Sequence, residues 1–92
     1  GARTLHGPVG AGPGRAVCFS FHPRKVITTG EGGMVTSPDA ELAARLKALR
    51  QHGQGEDGTR EPGYNFRLSE LAAAVGRVQL TRLDGFLARA AA

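Results

Sequence analysis

The chain has 92 residues, a formal net charge of +4 from 12 basic and 8 acidic side chains, and a single cysteine. This length suits one small domain, and one cysteine rules out an internal disulfide framework and is typical of a cytoplasmic protein. No apolar run approaches the roughly 20 residues that cross a bilayer. The arginines are interrupted by acids without interleaved aromatics, so neither a membrane nor a nucleic-acid partner is expected.

Two short apolar runs in the first half of the chain predict strands. Residues 16–19 follow a loop rich in glycine and proline, and residues 34–36 end at a Ser-Pro pair. Both runs are bounded by turn residues and are too short for helices. The sequence therefore predicts strand, loop and strand, with Cys18 packed as a small buried residue of the first strand.

The connection between these strands, residues 20–33, carries an unusual density of reactive side chains. Ser20, His22 and Lys25 lie close together in it, followed by two threonines and three glycines. A lysine that acts as a nucleophile must lose its proton, which requires desolvation or a nearby positive charge. Arg24 and the apolar neighbours of the lysine are expected to supply both. The serine hydroxyl and the glycine amides suit a phosphate, so the loop predicts a lysine presented to a small anionic molecule.

A helix is predicted after the second strand, over residues 38–52. Ser37 is the expected N-cap, with Pro38 in the first turn and Asp39 near the positive end of the helix. Gly53 is expected to end the helix in the left-handed conformation.

A second helix is predicted over residues 69–89, after a loop at 53–68. Gly76 lies inside this helix, where glycine costs about 1 kcal/mol relative to alanine, and its lack of a side chain would permit close packing by another element. Apolar residues at helical spacing form a stripe on each helix that is expected to be core: Leu42, Leu46 and Leu49 on the first, and Leu71, Val75 and Val78 on the second.

Other ligand motifs are not supported by the spacing. Cys18 and the histidines are too irregularly placed for zinc, so no metal is expected. The glycines at 10–14 are interrupted by proline and precede no helix, unlike a dinucleotide-binding loop, and Lys25 lacks the flanking pattern of a phosphate-binding P-loop.

Residues 20–35 resemble the cofactor-lysine segment of the DegT/DnrJ/EryC1/StrS aminotransferases. These are fold-type I enzymes that use pyridoxal 5′-phosphate (PLP), and many act on nucleotide-linked keto sugars. Residues 45–53 resemble the helix end that follows in this family, residues 63–71 its next signature, and residues 72–87 the helix after that. The resemblance implies an α/β fold: a fragment of the PLP-dependent transferase (aspartate aminotransferase-like) large domain, with short strands around the cofactor-lysine loop followed by two helices.

The resemblance implies a role for each matched residue. Lys25 would be the Schiff-base lysine and would then carry the proton between cofactor and substrate carbons. Ser20 would bind the cofactor phosphate, and His22 would lie beside cofactor and substrate. Asn65 would reach the phosphate of the neighbouring subunit's cofactor, since the family's sites form across a homodimer interface. The implied substrates are a nucleotide-linked keto sugar and an amino-acid amino donor.

Several features of the family have no counterpart in these 92 residues. They include the aspartate that pairs with the pyridine nitrogen and makes the ring an electron sink, the aromatic residue that stacks on the ring, and a glycine-bearing turn at the phosphate. Family members are also several times longer. The chain is therefore expected to be an internal fragment of the cofactor-binding large domain, inactive alone. The alternative is a non-catalytic truncated remnant, or an interaction partner of an intact homologue.

Overall fold

The computed structural model describes residues 3–5, 7–10 and 12–92, and predictions that involve residues 1, 2, 6 and 11 lie outside the described part. In that part, two short antiparallel strand pairs precede the first helix, and a third pair lies between it and the last two helices. The strands are β1 (Arg3–Thr4), β2 (Gly7–Pro8), β3 (Val17–Ser20), β4 (Gly33–Thr36), β5 (Gln54–Gly55) and β6 (Gly58–Thr59), paired β1–β2, β3–β4 and β5–β6. The helices are α1 (Ala40–Leu49), α2 (Glu70–Thr81) and α3 (Leu83–Ala91).

The two predicted strands are confirmed as the β3–β4 hairpin. Val17 pairs with Thr36 and Ser20 with Gly33, so residues 21–32 form the connecting loop. The expectation of a buried Cys18 is wrong, because its thiol is exposed. A two-stranded sheet with no second layer across it, in the described part of the chain, leaves the side chains of both strands accessible.

Few apolar side chains are fully covered. Among the described residues the buried hydrophobic ones are Phe21, 8% exposed, and Ala48, 3% exposed. The leucine stripe of α1 is half-buried, but the predicted core stripe of α2 is not core: Leu71, Val75 and Val78 are 82%, 47% and 59% exposed. The half-buried face of α2 instead carries small or polar residues, namely Ala72, Ala73, Gly76 and Gln79.

The start of α1 differs from the prediction by two residues. Asp39, not Ser37, is the N-cap, and its carboxylate accepts a hydrogen bond from the Leu42 amide at 3.0 Å. Ser37 donates instead to the Arg15 carbonyl oxygen at 2.5 Å. Arg15 also donates to the Asp39 carboxylate at 2.6 Å, so the preceding loop selects which residue caps the helix.

The stability of the first turn of α1 is expected to depend on pH through the Asp39 carboxylate. The Arg15 hydrogen bond first, and the Leu42 amide second, lower the pKa of Asp39 below its ordinary value of 3.8. Because the folded pKa is the lower one, the stabilisation is fully present above pH 3.8 and is lost as the pH falls through the folded pKa. A chemical-shift titration of the Leu42 amide should show this loss. Asp39→Asn should keep the cap and abolish the pH dependence; an unchanged titration in that variant would contradict the assignment.

The end of α1 also lies earlier than predicted, at Leu49 rather than at 52. Gly53 does adopt the left-handed conformation, with φ +76°, and its amide donates to the Ala48 carbonyl at 2.8 Å. It therefore closes the turn that follows the helix. The predicted loop at 53–68 contains the β5–β6 hairpin, and Arg45 on α1 forms a two-bond ion pair with Glu61, both distances 3.0 Å.

The predicted second helix is divided at Arg82, which separates α2 from α3. Ser69 caps α2, since its hydroxyl accepts from the Ala72 amide at 3.2 Å. The apolar stripe changes phase between Val78 and Leu80, since residues two apart do not lie on one face of a straight helix. None of the helices in the described ranges is long and apolar enough to cross a membrane.

Candidate active site

The loop at residues 21–32 is closed at its base by hydrogen bonds to the backbone of Phe21. The Phe21 amide donates to the Gly32 carbonyl at 2.8 Å. The Phe21 carbonyl accepts from the Thr29 amide at 3.1 Å and from the Thr28 hydroxyl at 2.7 Å. Because the Phe21 ring is also buried, this residue anchors both ends of the loop to the β3–β4 hairpin.

Lys25 lies at the end of a tight turn within this loop. Its amide donates to the His22 carbonyl at 2.9 Å, and Pro23 occupies the second turn position, which its fixed φ favours. The Lys25 side chain is exposed and makes no ion pair with any described residue. The turn therefore fixes the lysine backbone while its amine stays accessible.

His22 is oriented by the same turn. Its Nδ1 accepts a hydrogen bond from the Arg24 amide at 3.2 Å, so the neutral ring carries its proton on Nε2. Nε2 lies 4.0 Å from Oε1 of Glu31. The His22 amide in turn donates to the Ser20 hydroxyl at 3.4 Å. Ser20, His22 and Lys25 are therefore connected through one short stretch of backbone, as the sequence predicts.

The neighbours of Lys25 do not desolvate it as expected. Phe21 and Ile27 line a small apolar cavity of about 150 Å³ against α2, whereas Val26 is exposed. The Gly30 amide, a predicted phosphate ligand, is already bonded to the Thr28 hydroxyl at 3.0 Å. Apolar residues of the loop thus serve to pack it, and within the described chain the amine remains in contact with solvent.

Two threonines that sequence analysis left without a role hold this loop together. Thr28 bonds both the Phe21 carbonyl and the Gly30 amide, and the Thr29 hydroxyl donates to the Glu31 carbonyl at 2.8 Å. The signal for such a role is the Thr-Thr-Gly run itself, since threonine hydroxyls readily bond nearby backbone groups in turns.

Asn65 lies on a different element from the other three predicted site residues. The segment at 64–66 bonds to the end of α1: the Tyr64 amide donates to the Leu49 carbonyl at 2.7 Å, and the Phe66 amide to the Arg50 carbonyl at 2.9 Å. The side chain of Asn65 is exposed, and its Oδ1 accepts from Nε of Arg67 at 3.1 Å. No hydrogen bond among the described residues joins it to the lysine loop.

An open groove of about 610 Å³ separates the β3–β4 hairpin from α1. Its walls carry exposed apolar and aromatic groups, and the rings of Tyr64 and Phe66 stack with centroids 4.9 Å apart. Sequence analysis did not anticipate this groove, because it is formed by elements far apart along the chain. Its lining includes Cys18, Phe19, Met34, Leu46, Tyr64 and Phe66.

Comparison of the sequence with known proteins identifies aminotransferases. The model of the DegT/DnrJ/EryC1/StrS aminotransferase family matches residues 1–92. A GDP-perosamine synthase of Caulobacter vibrioides is 43% identical over 90 residues, which cover 92% of this chain and 24% of that protein. A UDP-4-amino-4,6-dideoxy-N-acetyl-beta-L-altrosamine transaminase of Campylobacter jejuni is 49% identical over 71 residues, covering 72% of this chain and 19% of that protein.

Comparison with solved structures also identifies aminotransferases, and it shows the fold. The aminotransferase from Psychrobacter cryohalolentis matches with a TM-score of 0.71 and 33% identity, over 74% of this chain and 21% of that one. Helicobacter pylori PseC, an aminotransferase of pseudoaminic acid biosynthesis, matches with a TM-score of 0.70 and 42% identity, over 76% of this chain and 20% of that one. The chain spans no more than 24% of any of these relatives. The fold is α/β, and the chain belongs to the DegT/DnrJ/EryC1/StrS aminotransferase family.

Proposed function

We propose that this chain is part of the cofactor-binding large domain of a PLP-dependent aminotransferase that transfers an amino group to a nucleotide-linked keto sugar. The observation that carries the proposal is the closed loop at 21–32, which presents the Lys25 amine from a fixed turn. The names of the two relatives given above, with their GDP- and UDP-linked sugars, support the substrate class. The full activity belongs to a protein that contains this chain.

PLP has three groups that a protein would bind here: the aldehyde, the phosphate and the pyridine nitrogen. The available side chains fit the first two. Lys25 supplies a primary amine for the aldehyde, free of ion pairs with described residues. Ser20 supplies a hydroxyl for the phosphate: its oxygen accepts from the His22 amide, which leaves the hydroxyl proton available. The described residues offer no identified partner for the pyridine nitrogen, so that group would come from another part of the enzyme.

Each residue has a defined task in this proposal. PLP, when bound, supplies the electron sink that stabilises negative charge at the substrate carbon. Lys25 Nζ would hold the cofactor and would take and return a proton at the reacting substrate carbon. The His22 ring, held by the Arg24 amide, presents Nε2–H beside the lysine turn. Because Lys25 is exposed in this chain, exclusion of water from its amine falls to groups outside the loop.

Asn65 is proposed to bind the phosphate of the neighbouring subunit's cofactor in a homodimer. Its Oδ1 is engaged by Arg67, so the amide nitrogen is left to donate outward, and a donor is what a phosphate oxygen requires. Its segment is bonded to the end of α1, and no hydrogen bond among the described residues joins it to the lysine loop, which is consistent with action at a second site. A cytoplasmic location completes the proposal and is supported by the single cysteine.

The proposal is tested by reductive labelling of the full-length protein. The protein is incubated with PLP, reduced with borohydride and digested, and the labelled peptide is located by mass. Label is expected on the peptide that contains Lys25 and should be lost in Lys25→Ala. Lys47, the other lysine of these 92 residues, is an exposed position on α1, so Lys47→Ala should label normally. A folded protein whose Lys25 peptide stays unlabelled would contradict the assignment.

A further inference from the structure

The lysine loop touches α2 at a glycine. Gly76 lies in the interior of α2, where glycine is a weaker helix former than alanine. A Cβ added to Gly76 would lie 3.0 Å from Cγ2 of Thr29, well inside the 3.5–4.0 Å of an ordinary carbon–carbon contact. The helix therefore carries no side chain at a point where the loop that contains Lys25 packs against it.

Thr29 is held in place from the other side. Its amide donates to the Phe21 carbonyl at 3.1 Å and its hydroxyl to the Glu31 carbonyl at 2.8 Å. A Cβ added to Gly32 would lie 2.8 Å from the same hydroxyl oxygen. The methyl group of Thr29 is thus the part that faces α2, and its displacement would carry the base of the loop with it.

We propose that Gly76 is a positioning residue for Lys25. The absence of a side chain at Gly76 sets how closely the loop packs on α2. Because Thr29 makes this contact and is bonded to the base of the loop, its position also determines where the turn holds Lys25. The cavity of about 150 Å³ at the same boundary, lined by both Thr29 and Gly76, gives the loop room to shift. An added methyl group at position 76 is accordingly expected to move the loop rather than unfold the domain. The significance of that movement rests on the proposed cofactor role of Lys25.

The test uses four variants of the full-length protein: Gly76→Ala, Thr29→Ser, the double variant, and Gly85→Ala as a matched control. Thr29→Ser removes Cγ2 and keeps the hydroxyl that bonds Glu31. Gly85→Ala adds a methyl group to α3 where nothing lies within 4 Å. Two readouts are followed: hydrogen exchange of the Thr29 amide without cofactor, and the rate of PLP labelling at Lys25.

In Gly76→Ala the Thr29 amide should exchange about tenfold faster, because the loop opens more often. Labelling of Lys25 should slow by about 10- to 100-fold, since small misplacements of a reacting group are costly. The double variant should show the exchange and labelling rates of the unsubstituted protein, and so should Gly85→Ala. If Gly76→Ala does not fold, the double variant still tests the proposal, because it should fold and its Lys25 should be labelled at the normal rate.

The positioning role would be overturned if exchange of the Thr29 amide were unchanged in Gly76→Ala. It would also be overturned if adding Thr29→Ser failed to return the exchange and labelling rates to normal. Altered exchange with normal labelling would also overturn it, since the loop would then move without affecting Lys25. A different result separates the two proposals: if the unsubstituted protein shows no label at Lys25 while the exchange pattern appears as expected, the contact stands and the proposed function fails.

Discussion

Lys25→Ala in the full-length protein should lower kcat by at least about 10²–10⁴-fold, the contribution typical of a single proton-transferring group. In the function proposed above, the loss follows because alanine would supply no amine to hold the cofactor or to move the proton at the substrate carbon. Stability should hardly change, since the Lys25 side chain is exposed and makes no ion pair with any described residue. Steady-state kinetics with a nucleotide-linked keto sugar, together with thermal unfolding of the same samples, measure both quantities.

Two further variants make this prediction specific. Lys25→Arg keeps the positive charge but stays protonated, so it should be as inactive as Lys25→Ala if the free amine is what matters. Lys47→Ala removes an exposed lysine on α1 and should leave kcat near its normal value. Retention of most of the activity in Lys25→Ala would contradict the assignment of the site.

Gly53→Ala is expected to be the most destabilising glycine substitution in the β5–β6 region. Gly53 has φ +76°, and a Cβ there would lie 1.6 Å from the Glu61 carbonyl oxygen. A left-handed backbone costs a residue with a side chain about 1–2 kcal/mol, and overpacking typically adds about 1–3 kcal/mol. We therefore expect a loss of about 2–5 kcal/mol in the free energy of unfolding or local opening.

Gly58→Ala is the matched control for this effect. Gly58 also has positive φ, +101°, but nothing lies within 4 Å of its added Cβ. Urea denaturation of the full-length protein, with hydrogen exchange at the His52 amide, should show Gly53→Ala to be clearly the worse variant. Equal effects of the two substitutions would show that backbone strain, and not overlap with Glu61, limits this position.

The close approach at Gly53 also bears on the candidate site. A Cβ added to Gly63 would lie 2.1 Å from the Gly53 amide nitrogen, so these two backbones are in direct contact. This contact holds the following residues against the end of α1, where the His52 amide donates to the Tyr64 carbonyl at 2.9 Å. Gly53→Ala should for that reason also disturb Asn65, the residue next to Tyr64.

Much of the candidate site could be predicted from the sequence because its signals are local. Turn residues bounded the two strands, which placed Lys25 on the connection between them. The hairpin, with Lys25 on its connecting loop, followed from these short-range preferences. The resemblance of two ordered segments to an aminotransferase family was confirmed by the match over residues 1–92.

The features that could not be predicted depend on contacts between distant residues. Whether Ser37 or Asp39 caps α1 was decided by Arg15, which bonds both. The apolar stripe of α2 predicted a buried face, yet the lysine loop packs on the face that carries Gly76. Helical periodicity shows where a stripe lies, but not which element will cover it.

The sequence by itself determined the hairpin, the loop that carries Lys25 and the family, because backbone preferences and ordered motifs act over a few residues. Only the tertiary structure decided the site's surroundings. It exposed Cys18 and Lys25, turned the apolar neighbours Phe21 and Ile27 toward α2, and bonded the segment that carries Asn65 to the end of α1. The physical reason is that burial and close approach depend on which distant elements meet, and no short stretch of residues contains that information.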